Sequence, residues 1–202
     1  MITTNAPELA ERARLLRSHG MSDRDTHILL GYNYRMTEMA AAMGLVQLKR
    51  LPTLNKKRIQ NSLYLIEELK QTPWMTPPQL KPNIGHTFFW VPFLIKEEVI
   101  GLSTSDLVGK FRENGVEVRH RYRAPLYRQP LLTKQSGYGS RHFCPYACPY
   151  YEGKQVDYTQ ISLPNVEKVA GRLIGLPNHP GLTKNELDYV VHVVKGLFRG
   201  EG

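Results

Sequence analysis

Cysteine is almost missing from this chain: Cys144 and Cys148 are its only two thiols in 202 residues, too few for a disulfide framework. Their spacing lies within the zinc-ligand range and His142 is near, but one pair and one histidine leave a tetrahedral site incomplete. They read as buried thiols, and no metal is expected. Long apolar runs are missing too. The longest, Phe88 to Ile95, falls far short of the ~20 residues of a membrane-spanning helix. No cationic segment leads into an apolar one near Met1, because Glu8, Glu11 and Arg12 come early, so no secretory signal is expected. Repeats and low-complexity tracts are missing as well. These absences together predict a soluble, cytoplasmic protein with no membrane partner.

Positive charge is in excess. Lys and Arg number 27 against 18 Asp and Glu, a formal net charge of +9. Such an excess attracts phosphates, whether of nucleic acid, an anionic membrane or a phosphorylated small molecule. The cations are scattered, not blocked, which disfavours a nucleic-acid partner. A non-catalytic anion- or nucleic-acid-binding module is the alternative from another function class.

The most unusual stretch is Gly31-Tyr32-Asn33-Tyr34-Arg35-Met36, followed by a run of small residues and methionines to Leu48. An amide and a guanidinium placed at a helix start offer donors where the backbone dipole already favours an anion. Before it, Met1–Asn5 reads as a short β-branched strand. Asn5 reads as the cap of a helix that Gly20 ends. A strand at the first residue needs a neighbour, so the chain reads as part of something larger. After it, Pro52 either kinks the helix or starts a second one. The run from Thr53 to Lys70 is amphipathic, with Ile59, Leu63, Ile66 and Leu69 on one side. Four prolines between Gln71 and Asn83 then mark an extended linker.

Beyond the linker the pattern predicts a strand from His86 to Ile95, a helix over Ser105–Asn114 and a strand from Val116 to Tyr122. A loop rich in Tyr, Pro and Gly runs from Ala124 to Tyr158. A short helix over Pro164–Arg172, a strand over Leu173–Leu176 and a last helix follow. Thr183 and Glu186 form a capping box for that helix. This is an α+β layer, a small sheet with helices on one face.

Four blocks in order, Met1–Asn5, Leu15–Gly20, Gly31–Glu38 and Leu176–Thr183, resemble the DegT/DnrJ/EryC1/StrS family of pyridoxal-phosphate-dependent sugar aminotransferases. The resemblance implies an α/β chain with part of the fold-type-I aminotransferase architecture. Residues 1–50 would be a remnant of the large cofactor-binding domain. Residues 51–72 would be a linking helix, and 73–202 a small C-terminal α+β domain with a short antiparallel sheet. In the family the cofactor-bearing lysine lies upstream of the strand that Met1–Asn5 matches. The chain thus resembles the C-terminal half of such an enzyme. It carries no catalytic residue of its own and is expected to be inactive alone, whether as an inert fragment or as half of a split enzyme.

The resemblance also assigns candidate residues. Asn33 would reach the cofactor phosphate of a neighbouring subunit; read from residues alone, it would instead cap the following helix. Arg35 would pair with a phosphate or form a structural salt bridge. His19, Tyr32, Arg119, Tyr122 and Tyr127 would lie near the substrate. His120 falls on the same cationic stretch, Val118–Arg123, which would suit a nucleotide diphosphate. The implied partners are a nucleotide-linked keto sugar, glutamate as amino donor, and either a second copy or a complementary N-terminal half.

Overall fold

The computed structural model describes residues 1–135 and 156–197, which leaves His142, Cys144 and Cys148 outside the described residues. The chain divides into two compact units, Met1–Pro52 and Thr53–Gly202.

In the first unit, helix α1 (Pro7–Arg17) is followed by an antiparallel hairpin of β1 (Met21–Asp23) and β2 (Thr26–His27). Helix α2 (Glu38–Leu69) then begins. Pro7 sits where a missing N–H costs nothing. Glu8 lies at the positive end of α1, and Arg14 and Arg17 at the negative end. Two expectations fail here. The α1 cap is Ala6, not Asn5, and no side chain caps it; Thr4 Oγ1 instead accepts the Ala6 N–H at 3.1 Å. Met1–Asn5 is not a strand, since no described strand pairs with it. The hairpin was not legible because Arg24 and Asp25 break its apolar alternation. Asp25 adopts φ +70°, a turn conformation that aspartate tolerates.

Helix α2 runs straight through Pro52 in sequence. One lost backbone bond is tolerated in a helix of 32 residues. Its start is capped by Thr37, whose Oγ1 accepts the Ala40 N–H at 3.3 Å. The cap reading of Asn33 is thereby overturned.

The second unit is built on a four-stranded sheet in the order β3 (Met75–Thr76), β4 (Val91–Ile95), β6 (Leu173–Leu176), β5 (Arg119–His120). Every pairing is antiparallel. Strand β3 lies inside the proline-rich stretch, and β4 and β5 are shorter than the sequence pattern suggests. Along β4 the side chains alternate, with Val91, Phe93 and Ile95 buried. That face is covered by the second part of α2 with Leu65 and Leu69, by α4 (Thr104–Glu113) with Leu107 and Phe111, and by α7 (Lys184–Gly196) with Val190, Val191 and Val194. Short helices α3 (Glu97–Ile100), α5 (Pro130–Thr133) and α6 (Pro164–Val169) connect these elements. Each fully buried Leu, Val or Phe contributes roughly 1.5–3 kcal/mol, so this unit has its own driving force.

The face that α2 turns inward differs from the one read in the sequence. Leu63 is 44% exposed, whereas polar Asn61 and Ser62 are buried. They are tolerated there because they are paired. Asn61 Nδ2 donates to the His179 carbonyl, and Ser62 Oγ donates to the Arg58 carbonyl. The buried amide of Asn178 donates to Ser62 Oγ and to the Phe88 carbonyl, both at 2.9 Å. The Leu176–Thr183 block is therefore a stitch between the end of β6, α2 and the residues before β4. Thr183 and Glu186 form the expected capping box.

Candidate functional sites

In the first unit, Gly31–Met36 packs as an extended segment against the end of α1. The last carbonyls of a helix have no partner within it, and here the motif supplies partners. Tyr32 N–H donates to the Leu16 carbonyl at 2.7 Å and Tyr34 N–H to that of Arg17 at 2.9 Å. His19 N–H returns a bond to the Tyr32 carbonyl at 2.8 Å, with Ser18 opposite Asn33. The approach demands glycine. A Cβ on Gly31 would lie 2.1 Å from the Gly20 nitrogen, and one on Gly20 (φ +71°) would lie 1.8 Å from the Leu29 carbonyl oxygen. His19 also has positive φ, +61°, and its carbonyl accepts from Nδ1 of His27.

Tyr32 and Tyr34 stack with ring centroids 5.0 Å apart on one side of this segment. Asn33, between them, points to the other side. Asn33 and Arg35 are both exposed, and no ion pair engages Arg35 among the described residues. The structure therefore brings His19, Tyr32 and Asn33 together on a pinned backbone. His27 is a fourth member that the sequence pattern did not single out.

In the second unit, the candidates separate. Arg119 on β5 stands opposite Gly175 on β6, which stands opposite Pro92 on β4. These three share the sheet face away from the helices. A Cβ on Gly175 would lie 2.4 Å from Cε3 of Trp90, so the indole lies across the glycine. The Arg119 guanidinium sits 5.9 Å from the centre of the Phe89 ring, and the Tyr122 ring tilts against Trp90 at 5.8 Å. A cleft of about 510 Å³ beside Arg119 and Gly175 is walled by Asn178, His179, Asn185 and Tyr189. Phe89 and Trp90 read in the sequence only as part of a strand, and the place of the indole across Gly175 shows only in the fold.

His120 faces the core. Its Nε2 donates to the Gly171 carbonyl at 2.8 Å, and Gly171 N–H donates to the Tyr122 carbonyl at 2.8 Å. The chain of bonds holds Tyr122 at φ +56°, a conformation that costs a non-glycine residue roughly 1–3 kcal/mol. Tyr127 is placed differently again. It is buried, its hydroxyl donates to Glu167 at 2.5 Å and accepts the Leu163 N–H at 3.2 Å. That bond, with Arg128 beside it, holds the Glu167 carboxyl below its ordinary range. The proton and a lone pair of Tyr127 are thus used inside the unit.

Among the described residues no cluster of His, Cys, Asp or Glu could hold a metal, and no helix is long and apolar enough to cross a membrane.

Residues 1–152 match the DegT/DnrJ/EryC1/StrS aminotransferase family. The chain belongs to this family. It is 26% identical, over 99% of its length and 49% of the relative's, to the spore coat polysaccharide biosynthesis protein SpsC of Bacillus subtilis. Its fold matches Helicobacter pylori PseC, an aminotransferase of pseudoaminic acid biosynthesis, with a TM-score of 0.74 and 25% identity over 97% of this chain and 47% of that one. It also matches NtdA of Bacillus subtilis, a structure with bound cofactor PMP, with a TM-score of 0.74 and 21% identity over 98% of this chain and 41% of that one. The chain spans about half the length of the curated relatives it matches. The architecture is that of a partial α/β aminotransferase with a small antiparallel-sheet domain.

Members of such a family use a pyridoxal-type cofactor, and the residues at Gly31–Met36 fit one part of it. An exposed amide and an exposed guanidinium on a pinned backbone are donors of the kind a phosphate accepts from. The segment Gly31–Met36 itself contains no lysine, so what its side chains offer is phosphate donors.

Proposed function

We propose that the chain is the C-terminal portion of a pyridoxal-phosphate-dependent aminotransferase acting on nucleotide-linked keto sugars, with glutamate as amino donor. The product would be an amino sugar for polysaccharide or related biosynthesis. Residues 1–50 would complete the large domain, 51–72 would link the domains, and 73–202 would form the small one. The observation that carries the reading is the fixed Tyr32–Asn33–Tyr34 segment. Its backbone is tied to α1 and its amide is turned outward.

In this reading Asn33 donates its amide N–H to the cofactor phosphate of a neighbouring subunit, and Arg35 supplies positive charge to the same group. When bound, the cofactor supplies an electron sink for the carbanion at the amino-bearing carbon. The stacked Tyr32 and Tyr34 rings keep the segment extended, so Asn33 needs no reordering to bind. His19, on the facing turn, would border the substrate entrance. Arg119 and Tyr122 would contact the nucleotide sugar. The partner is a second copy or a complementary N-terminal half, and the exposed apolar residues of the first unit support either.

Co-expression with the polypeptide encoded immediately upstream tests this. An assembly that takes up pyridoxal phosphate and loses roughly tenfold in affinity with Asn33→Ala supports it. Borohydride fixation of the cofactor onto a lysine of this chain by itself would overturn it.

A further inference from the structure

After α1 the chain turns back through two consecutive left-handed residues, His19 at φ +61° and Gly20 at φ +71°. Glycine is the usual residue where a helix ends this way, and a histidine there persists only when its surroundings hold it. The peptide between the two is held from both ends. Gly20 N–H donates to the Leu15 carbonyl at 2.7 Å, and the His19 carbonyl accepts from Nδ1 of His27 at 2.9 Å. A carbonyl oxygen can only accept, so Nδ1 carries the proton in this contact. The hairpin brings His27 there: it pairs with Met21 across the turn, and the next residue, Ile28, donates its N–H to the Gly20 carbonyl at 2.9 Å. Among the described residues, His27 is the only side chain hydrogen-bonded to the backbone of the His19–Gly20 turn or of Gly31–Met36.

We infer that His27 is a positioning residue of the cofactor-phosphate site and acts on Asn33 through the His19–Gly20 peptide. Gly20 has to be glycine, because a Cβ there would lie 1.8 Å from the Leu29 carbonyl oxygen. Glycine adopts either sign of φ with equal ease, so the peptide before it turns over readily unless its carbonyl is held. A turned peptide takes Gly20 N–H away from Leu15 and releases the end of α1. With the peptide fixed, His19 N–H meets the Tyr32 carbonyl at 2.8 Å and Ser18 stays opposite Asn33. His27 thus supplies the one side-chain donor in a corner otherwise tied by backbone, and it sets where the Asn33 amide stands. This role rests on the reading of Asn33 as a phosphate donor; the contact itself rests on the geometry of the turn.

Two variants separate the donor from the ring. His27→Phe keeps a ring and removes the donor, whereas His27→Asn offers an amide N–H close to the place of Nδ1. In the full chain, His27→Phe should speed deuterium exchange of the His19 and Gly20 amides about 2- to 10-fold, and His27→Asn should restore most of the protection. His27 is exposed, so amides of the second unit should keep their rates in both variants. Nitrogen-15 spectra of the neutral wild-type ring should show the proton on Nδ1. In the assembly co-expressed with the upstream polypeptide, His27→Phe should weaken pyridoxal phosphate uptake by a similar factor, with recovery in His27→Asn. Added to Asn33→Ala it should cost little more, because both changes act on one contact. Unchanged exchange in His27→Phe, a proton on Nε2, no recovery with His27→Asn, or full additivity with Asn33→Ala would each overturn the inference. Uptake that His27→Phe leaves unchanged would overturn this role alone. A wild-type assembly that takes up no cofactor would overturn the aminotransferase reading, and this role with it.

Discussion

The two units of this chain are held together by different means. From Thr53 onward, apolar side chains of the sheet and three helices meet in one buried cluster, and Leu65, Trp74, Phe93, Phe111 and Val194 are fully removed from water. Up to Pro52, Gly20 is the only buried residue. Helix α1 has none, and Met39, Met43, Leu45 and Val46 of α2 all remain more than half exposed. What orders the first unit is backbone: helix carbonyls taken up by Tyr32 and Tyr34, and glycines that permit the approach. One unit is stabilised by burial, the other by satisfied hydrogen bonds worth only about 1 kcal/mol each. The lesson concerns function as much as stability. The unit that carries the Gly31–Met36 motif is the one whose apolar residues stay exposed, as the composite site proposed above would require.

The sharpest way to break this comparison is paired truncation. Phe93→Ala removes a fully buried ring from the second unit and should cost about 3–5 kcal/mol in urea unfolding followed through Trp74. Met43→Ala in the first unit should change the same curve by no more than about 0.5 kcal/mol. A large effect of Met43→Ala in the isolated chain would mean that the first unit has a core after all. In a reconstituted assembly the contrast should shrink, because Met43 would then be covered.

Two further substitutions probe the hydrogen bonds of each unit. In the first, Gly31→Ala forces a methyl onto the Gly20 backbone. Overpacking of this kind costs about 1–3 kcal/mol, so the Tyr32 and Tyr34 amides should exchange with deuterium roughly 10- to 100-fold faster while the second unit is unaffected. Unchanged exchange at Tyr32 would show that the segment is not held by α1. In the second, Asn178→Ala leaves the Phe88 carbonyl and Ser62 hydroxyl short of a buried donor. A loss of about 1–3 kcal/mol is expected, with Asn178→Asp no better, because a carboxylate cannot donate to the Phe88 carbonyl.

Much of the second unit was legible because its physics is local. The capping box at Thr183 and Glu186, the strand at Leu173–Leu176 and the alternation around Phe93 each show in a few adjacent residues. What failed depended on partners distant in sequence. The inward face of α2 includes Asn61 and Ser62, polar residues that only His179 and Asn178 make acceptable. The short strand β3 forms among prolines because β4 offers it two residues of pairing. In the first unit the motif around Asn33 was visible as an oddity, but its cause was not. Nothing in its spacing indicates that its backbone finishes α1, or that Thr37 takes over the capping role. The packing of Trp90 on Gly175 was invisible for the same reason, since the two meet only through strand pairing.

The smallest predicted effect tests whether the second unit also leans on polar bonds. Glu97 accepts from the Thr104 N–H at 2.6 Å and the Thr104 hydroxyl at 2.8 Å, with Arg172 at 3.7 Å. The Thr104 backbone bond is the largest cause, and together these hold the carboxyl below the ordinary glutamate value of 4.5. A depressed folded-state value means that ionised Glu97 stabilises the fold above pH ~4.5, where the unfolded chain is also ionised, and that this stabilisation fades as pH falls through the lower folded value. The side chain is a third exposed, so screening keeps the effect under about 1 kcal/mol. Wild type should therefore exceed Glu97→Gln in urea midpoint at pH 7, and the gap should close toward pH 3. A gap that persists at pH 3 would assign the stabilisation to the shape of the Thr104 contact and not to its charge. Burial would then account for nearly all that separates this unit from the first.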